Sequence, residues 1–154
     1  MDADPSEIRT ESKAWILIGL TGSTVGRLVL EEGRLTFAAR GIGALSGGHC
    51  RKLGTQCGVA DLARRLVEEE EVLIFDEPVT TLRFTFPWYT FGGGMNVRTG
   101  DGRFRISFLR PANTALEVDV TGGAISEGRG LGRRWKALLT KAEQVAAGRR
   151  PRSG

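Results

Sequence analysis

A chain of 154 residues, 40% hydrophobic and 26% charged, has the size and balance of one globular domain with a core of its own. Two cysteines exclude a disulfide framework, and the longest apolar run, residues 14–20, falls far short of the ~20 residues that span a bilayer. The formal net charge of +4 is uneven: residues 127–154 carry most of the basic excess, so the rest of the chain is slightly acidic. Such asymmetry points either to a solvated basic tail or to contact with an anionic partner.

The acidic start Met1-Asp2-Ala3-Asp4-Pro5 has neither the basic residues nor the apolar stretch of a secretory signal, which makes the cytoplasm the expected compartment. Residues 1–13 are polar and are expected to be flexible. The run Ala14 to Leu20 predicts a buried strand, broken at Thr21-Gly22-Ser23-Thr24. Residues 25–30 and 34–40 flank Glu31-Glu32-Gly33 and read as a hairpin. Residues 41–58 are glycine-rich and read as a long irregular loop. Val59, Leu62, Ala63, Leu66 and Val67 follow helical spacing, predicting a short helix over 59–69 that ends in the acidic run 68–71. Residues 72–75 form a short apolar strand.

The next block, 79–108, is rich in aromatics. Leu82, Phe84 and Phe86 alternate with Arg83 and Thr85, and Met95 and Val97 alternate with Asn96 and Arg98. Asp101-Gly102 marks a hairpin turn, from which Phe104, Ile106 and Phe108 return against Arg103, Arg105 and Ser107. Residues 116–120 alternate as a further edge strand, and 121–130 read as a linker. Leu131, Trp135, Leu138, Leu139, Ala142, Val145 and Ala146 then lie on one stripe of a C-terminal amphipathic helix, with Arg133 and Arg134 off the stripe. Residues 148–154 read as a basic flexible tail, leaving 14–147 as a single domain.

The predicted fold is therefore α+β: a curved antiparallel sheet or half-open barrel of six or seven strands, a short inserted helix and a C-terminal capping helix. This order resembles a pleckstrin-homology-like domain of the bacterial or GRAM kind. The segments that carry the resemblance are Gly26-Arg27-Leu28-Val29-Leu30 with Gly33-Arg34-Leu35-Thr36-Phe37, residues 79–86, residues 95–108, and Arg134-Trp135-Lys136-Ala137-Leu138-Leu139. The Phe86-Pro87-Trp88-Tyr89 segment, with Arg110-Pro111-Ala112-Asn113-Thr114, is also similar to a group of uncharacterised actinobacterial proteins that brings no known activity. The resemblance implies a bent sheet plugged at one end by the helix. Lipid-binding members of that family usually present basic residues on the first hairpin turn. Here the turn is either Glu31-Glu32-Gly33, which repels phosphate, or the uncharged Thr21-Gly22-Ser23-Thr24, so a phosphoinositide site does not carry over.

Catalytic constellations lack parts. His49 is the only histidine, no nucleophile elbow surrounds any serine, and His49-Cys50 with Cys57 lacks the ligand number and spacing of a zinc site. Gly92-Gly93-Gly94 has no following Lys-Ser/Thr or helix to cradle a phosphate and reads instead as a bend or a close backbone approach. No enzyme activity, metal or cofactor is expected.

The candidate binding residues are Arg83, Arg98, Arg103 and Arg105 on the outer face of the central hairpin, Trp88 and Tyr89 beside the ladder break at Pro87, and Arg133 and Arg134 on the last helix. Trp88 stays on the Phe84/Phe86 face if the ladder is unbroken and leaves it if Pro87 creates a bulge. The expected function is a non-catalytic binding or scaffolding module for a protein or peptide, with contact of the basic C-terminus to an anionic membrane or nucleic acid. The alternative is a nucleic-acid-binding protein using the arginine face and the tail.

Overall fold

The computed structural model describes residues 9–90, 92–100, 102–111 and 122–148. Seven strands form one antiparallel sheet: β1 (Arg9–Ile18), β2 (Gly22–Glu31), β3 (Arg34–Ala39), β4 (Val72–Pro78), β5 (Arg83–Thr85), β6 (Gly94–Arg98) and β7 (Arg103–Ser107). Two short helices, α1 (Gly47–Cys57) and α2 (Leu62–Glu68), are inserted between β3 and β4, and α3 (Gly122–Gly148) follows the sheet. The strand order is β4-β3-β2-β1-β7-β6-β5, so the two edge strands are consecutive in the chain.

That order forces curvature. Four residues, 79–82, join the opposite edges of the sheet, and they span at most about 14 Å when extended. Phe75 of β4 and Phe104 of β7 stand four strands apart in the ladder, a separation of about 19 Å in a flat sheet. Their rings nevertheless approach to 5.1 Å between centroids. The sheet therefore curls into an open half-barrel with these rings across its interior.

Alternation sets the lining. Ala14, Ile16 and Ile18 point inward from β1, Leu35, Phe37 and Ala39 from β3, and Phe104 and Ile106 from β7. The pairing of β3 with β4 slips between Phe37 and Ala38, leaving Ile74 as an extra residue on β4. That bulge turns both Ile74 and Phe75 into the core while Leu73 stays outside. The β2–β3 turn holds Glu32 and Gly33 at φ 52° and 73°, the left-handed pair that a two-residue hairpin requires.

Several sequence expectations change. Residues 9–13 are not a flexible lead but the first half of β1, paired from Arg9↔Glu31 onward. Their order comes from polar contacts: Glu11 accepts from Arg9 at 2.9 Å and from Arg27 at 3.3 Å, and Arg27 reaches Glu71 at 2.9 Å. The stretch 41–58 is not an irregular loop, since most of it is α1. Ser46 Oγ accepts from the His49 amide at 3.1 Å, and His49 Nδ1 accepts from the Ser46 amide at 3.0 Å. This reciprocal cap fixes the helix start, and Cys50 and Leu53 bury its inner face. The predicted helix at 59–69 is shorter, Leu62–Glu68. The segment 121–130 is largely helical, because α3 begins at Gly122. The predicted strand at 116–120 and the tail beyond Gly148 lie outside the described residues.

The hydrogen bond from Arg9 and the pairing with Arg27 hold the Glu11 carboxyl below its ordinary value. A lowered folded-state value stabilises the fold above the unfolded carboxyl pKa, and the contribution disappears as pH falls through the folded one. The stability gap between the wild type and Glu11→Gln, read by urea denaturation, is expected to be constant near neutrality and to close in acid. A gap that persists at pH 2 would remove this ion pair from the account of β1.

α3 closes one end of the half-barrel. Trp135 is fully buried, its indole N–H donates to Ser12 Oγ at 2.7 Å, and its ring stacks on Phe108 at 6.4 Å. Gly92, the first of the three consecutive glycines, serves the same docking. A Cβ on Gly132 of α3 would lie 1.6 Å from the Gly92 carbonyl oxygen, so the helix rests directly on that loop. Among the described residues, no helix is long and apolar enough to cross a membrane.

A candidate anion-binding cleft

The candidate site is built from register. Arg83 of β5 pairs with Arg98 of β6, which pairs with Arg103 of β7. Directly opposed residues share a face, so the three guanidinium groups form a row across the three strands. The next outward row holds Thr85, Asn96 and Arg105, with Leu17 of β1 opposite Arg105. Phe104 and Ile106, between and beyond these arginines, point into the core, which places the charges on the outer face.

This face borders a cleft of about 600 Å³ where the end of β1, α1 and strands β5–β7 meet. Lys52 of α1 stands on its wall with the four arginines, and none of the described residues lining it is acidic. Its volume falls within the range of small-molecule sites. The Arg105 guanidinium also donates to the Gly19 carbonyl, tying the β1–β2 turn to the cleft rim.

Charge is segregated between the two halves of the sheet. On the β1–β4 side, Arg9, Arg27, Arg34 and Arg40 each meet a carboxylate, namely Glu11, Glu71 or Asp76. On the β5–β7 side, no ion pair is made by Arg83, Arg98, Arg103 or Arg105 with any described residue. Like charges placed directly opposite one another cost stability, and this ladder contains two such pairs.

Of the eight residues marked by the sequence, the structure gathers four, Arg83, Arg98, Arg103 and Arg105. Trp88 does not line the cleft. It lies on the short turn Trp88–Thr90 that follows β5 and is 82% exposed, because Pro87 ends the ladder and frees it from the Phe84/Phe86 face. The Tyr89 side chain is outside the described residues. Arg133 and Arg134 are exposed on α3 and neither lines the cleft, and Arg133 runs along Gly92. Lys52 is not among the residues the sequence marks, because the glycines around it hide the helix that carries it.

The other reactive side chains engage near neighbours. The His49 imidazole caps α1 and packs against Gly22, where a Cβ would sit 2.7 Å from Nδ1. Asp76 accepts from Arg34 at 3.0 Å and from Thr36 at 3.2 Å. Burial pushes the Cys50 and Cys57 thiols up, the opposite of an activated thiolate. Among the described residues, no three His, Cys, Asp or Glu side chains converge on a point. Compared with family models, curated proteins and solved structures, the chain has no significant match.

Proposed function

We propose that the protein is a non-catalytic binding module that holds an anionic partner in the β5–β7 cleft. The observation that carries this reading is the in-register row Arg83–Arg98–Arg103, joined by Arg105 and Lys52 around one cleft without a described acidic residue. Guanidinium groups fit carboxylate and phosphate oxygens as planar forks, and a ladder that opposes like charges gains an explanation when a ligand neutralises them. A protein or peptide partner would present acidic or phosphorylated residues here. The half-open barrel closed by a C-terminal helix agrees with the resemblance to pleckstrin-homology-like and GRAM-like domains, although such folds host many functions. Residence in the cytoplasm belongs to the same reading, supported by the free thiols of Cys50 and Cys57.

Arg98 separates stability from binding because it faces an arginine on either side. Without ligand, Arg98→Gln is expected to be more stable than the wild type by about 0.5 kcal/mol, a rise of about 1–2 °C in Tm. The same change is expected to weaken anion binding at least about tenfold, the lower end of the about 1.5–3 kcal/mol that a charge-assisted hydrogen bond contributes. Calorimetric titration at low salt with tripolyphosphate, an oligoglutamate peptide and an oligonucleotide checks both halves. If the wild type binds none of them, the reading fails.

A further inference from the structure

We infer that the occupant of the cleft is a single strand of nucleic acid laid across β5, β6 and β7, a conclusion that rests on the anion-binding reading above. The cations are spread in two directions. Adjacent strands are about 4.8 Å apart, so Arg83 and Arg103 are separated by about 10 Å at the backbone, and Arg103 and Arg105 by about 7 Å along β7. A single phosphate group engages neighbouring guanidinium groups but does not cover this array. A phosphodiester chain does, because it repeats its charge every few ångströms.

The cleft also offers more than charge. Thr85 and Asn96 share the row with Arg105, placing neutral donors and acceptors beside the cations. Sugar hydroxyls and base edges require such groups, whereas simple charge neutralisation does not. Trp88 follows Thr85 by three residues, within about 10 Å of chain, and its 82% exposure offers a ring on which a base leaving the cleft stacks. A cleft of about 600 Å³ has room for roughly two nucleotides of one strand and is too small to seat a duplex.

The experiment is fluorescence anisotropy of the full chain with labelled 12-nucleotide single strands of RNA and DNA and the matching duplexes over a salt series. The expected result is tighter binding of the single strand. If three to four phosphates are engaged, log affinity should fall against log salt with a slope of about −2 to −3. Arg98→Gln is expected to lower affinity about tenfold at low salt and to make the slope shallower by about 0.7, whereas Arg98→Lys retains the slope. Trp88→Ala is expected to lose about tenfold and Trp88→Phe much less. Equal or tighter duplex binding overturns the inference. Binding confined to an oligoglutamate or phosphorylated peptide, or to phosphatidylserine vesicles, also overturns it but leaves the anion-binding function standing. No binding to any of these probes removes both.

Discussion

Trp135→Ala is expected to cost about 3–5 kcal/mol, as for other buried large aromatics truncated to alanine. Three losses coincide at this position. The indole is fully buried, so its removal leaves a cavity between α3 and the sheet. Its N–H donates to Ser12 Oγ, so the serine loses a partner on β1. Its ring stacks on Phe108, just beyond the end of β7. One side chain thus joins the helix to both central strands of the β1–β7 seam. Against a total stability of 5–15 kcal/mol for a typical domain, that is a large share. Trp135→Phe retains the ring contact but not the donor and is expected to cost about 1–2 kcal/mol. Urea denaturation with an unchanged m-value checks both, and a loss below 1 kcal/mol for the alanine variant would show that α3 is not part of the cooperative core.

The half-barrel was legible wherever one face of a strand is apolar. Met95 and Val97 against Asn96 and Arg98, and Phe104 and Ile106 against Arg103 and Arg105, gave both strand and facing. The start of β1 was hidden because Arg9, Glu11 and Lys13 alternate with Thr10 and Ser12, so neither face carries an apolar signal. Its order comes from pairing with β2 and from contacts with Arg27 and Trp135, partners remote in sequence. The helix α1 was hidden for a different reason. Glycines at 47, 48 and 54 are poor helix formers, and histidine replaces the usual Glu or Gln in the capping box. Burial of Cys50 and Leu53 outweighs these weak propensities, and periodicity alone does not weigh burial.

The candidate cleft was half legible. Alternation placed four arginines on one face but carried no register, and register is what sets Arg83, Arg98 and Arg103 side by side. A two-residue turn at Asp101-Gly102 would have opposed Gly100 to Arg103. Instead Thr99 faces Gly102, its amide donating to the Gly102 carbonyl at 2.9 Å and the Gly102 amide donating to Thr99 Oγ1 at 3.0 Å, and this register opposes Arg98 to Arg103. Lys52 entered only with α1. For Trp88, the ladder break at Pro87 was visible in the sequence, but which way the ring turned depended on the structure.

Gly132→Ala tests the docking of α3 by the sign of its effect. Helix propensity alone favours alanine by about 1 kcal/mol. Packing opposes it, because the new Cβ would lie 1.6 Å from the Gly92 carbonyl oxygen. That obstacle is backbone on both sides, so no flexible side chain can yield. Overpacking of this kind costs about 3 kcal/mol, leaving a net loss of about 2 kcal/mol in denaturation experiments. Gly130, two residues earlier in the same helix, has nothing within 4 Å of its Cβ position. There propensity acts unopposed, and Gly130→Ala is expected to stabilise the protein by about 0.5–1 kcal/mol. The same substitution on one helix should thus act with opposite signs. Stabilisation by both would mean that α3 does not rest on Gly92. Neither glycine lines the cleft, so folded Gly130→Ala is expected to bind anions as the wild type does, separating the helix that completes the core from the strands that carry the charge.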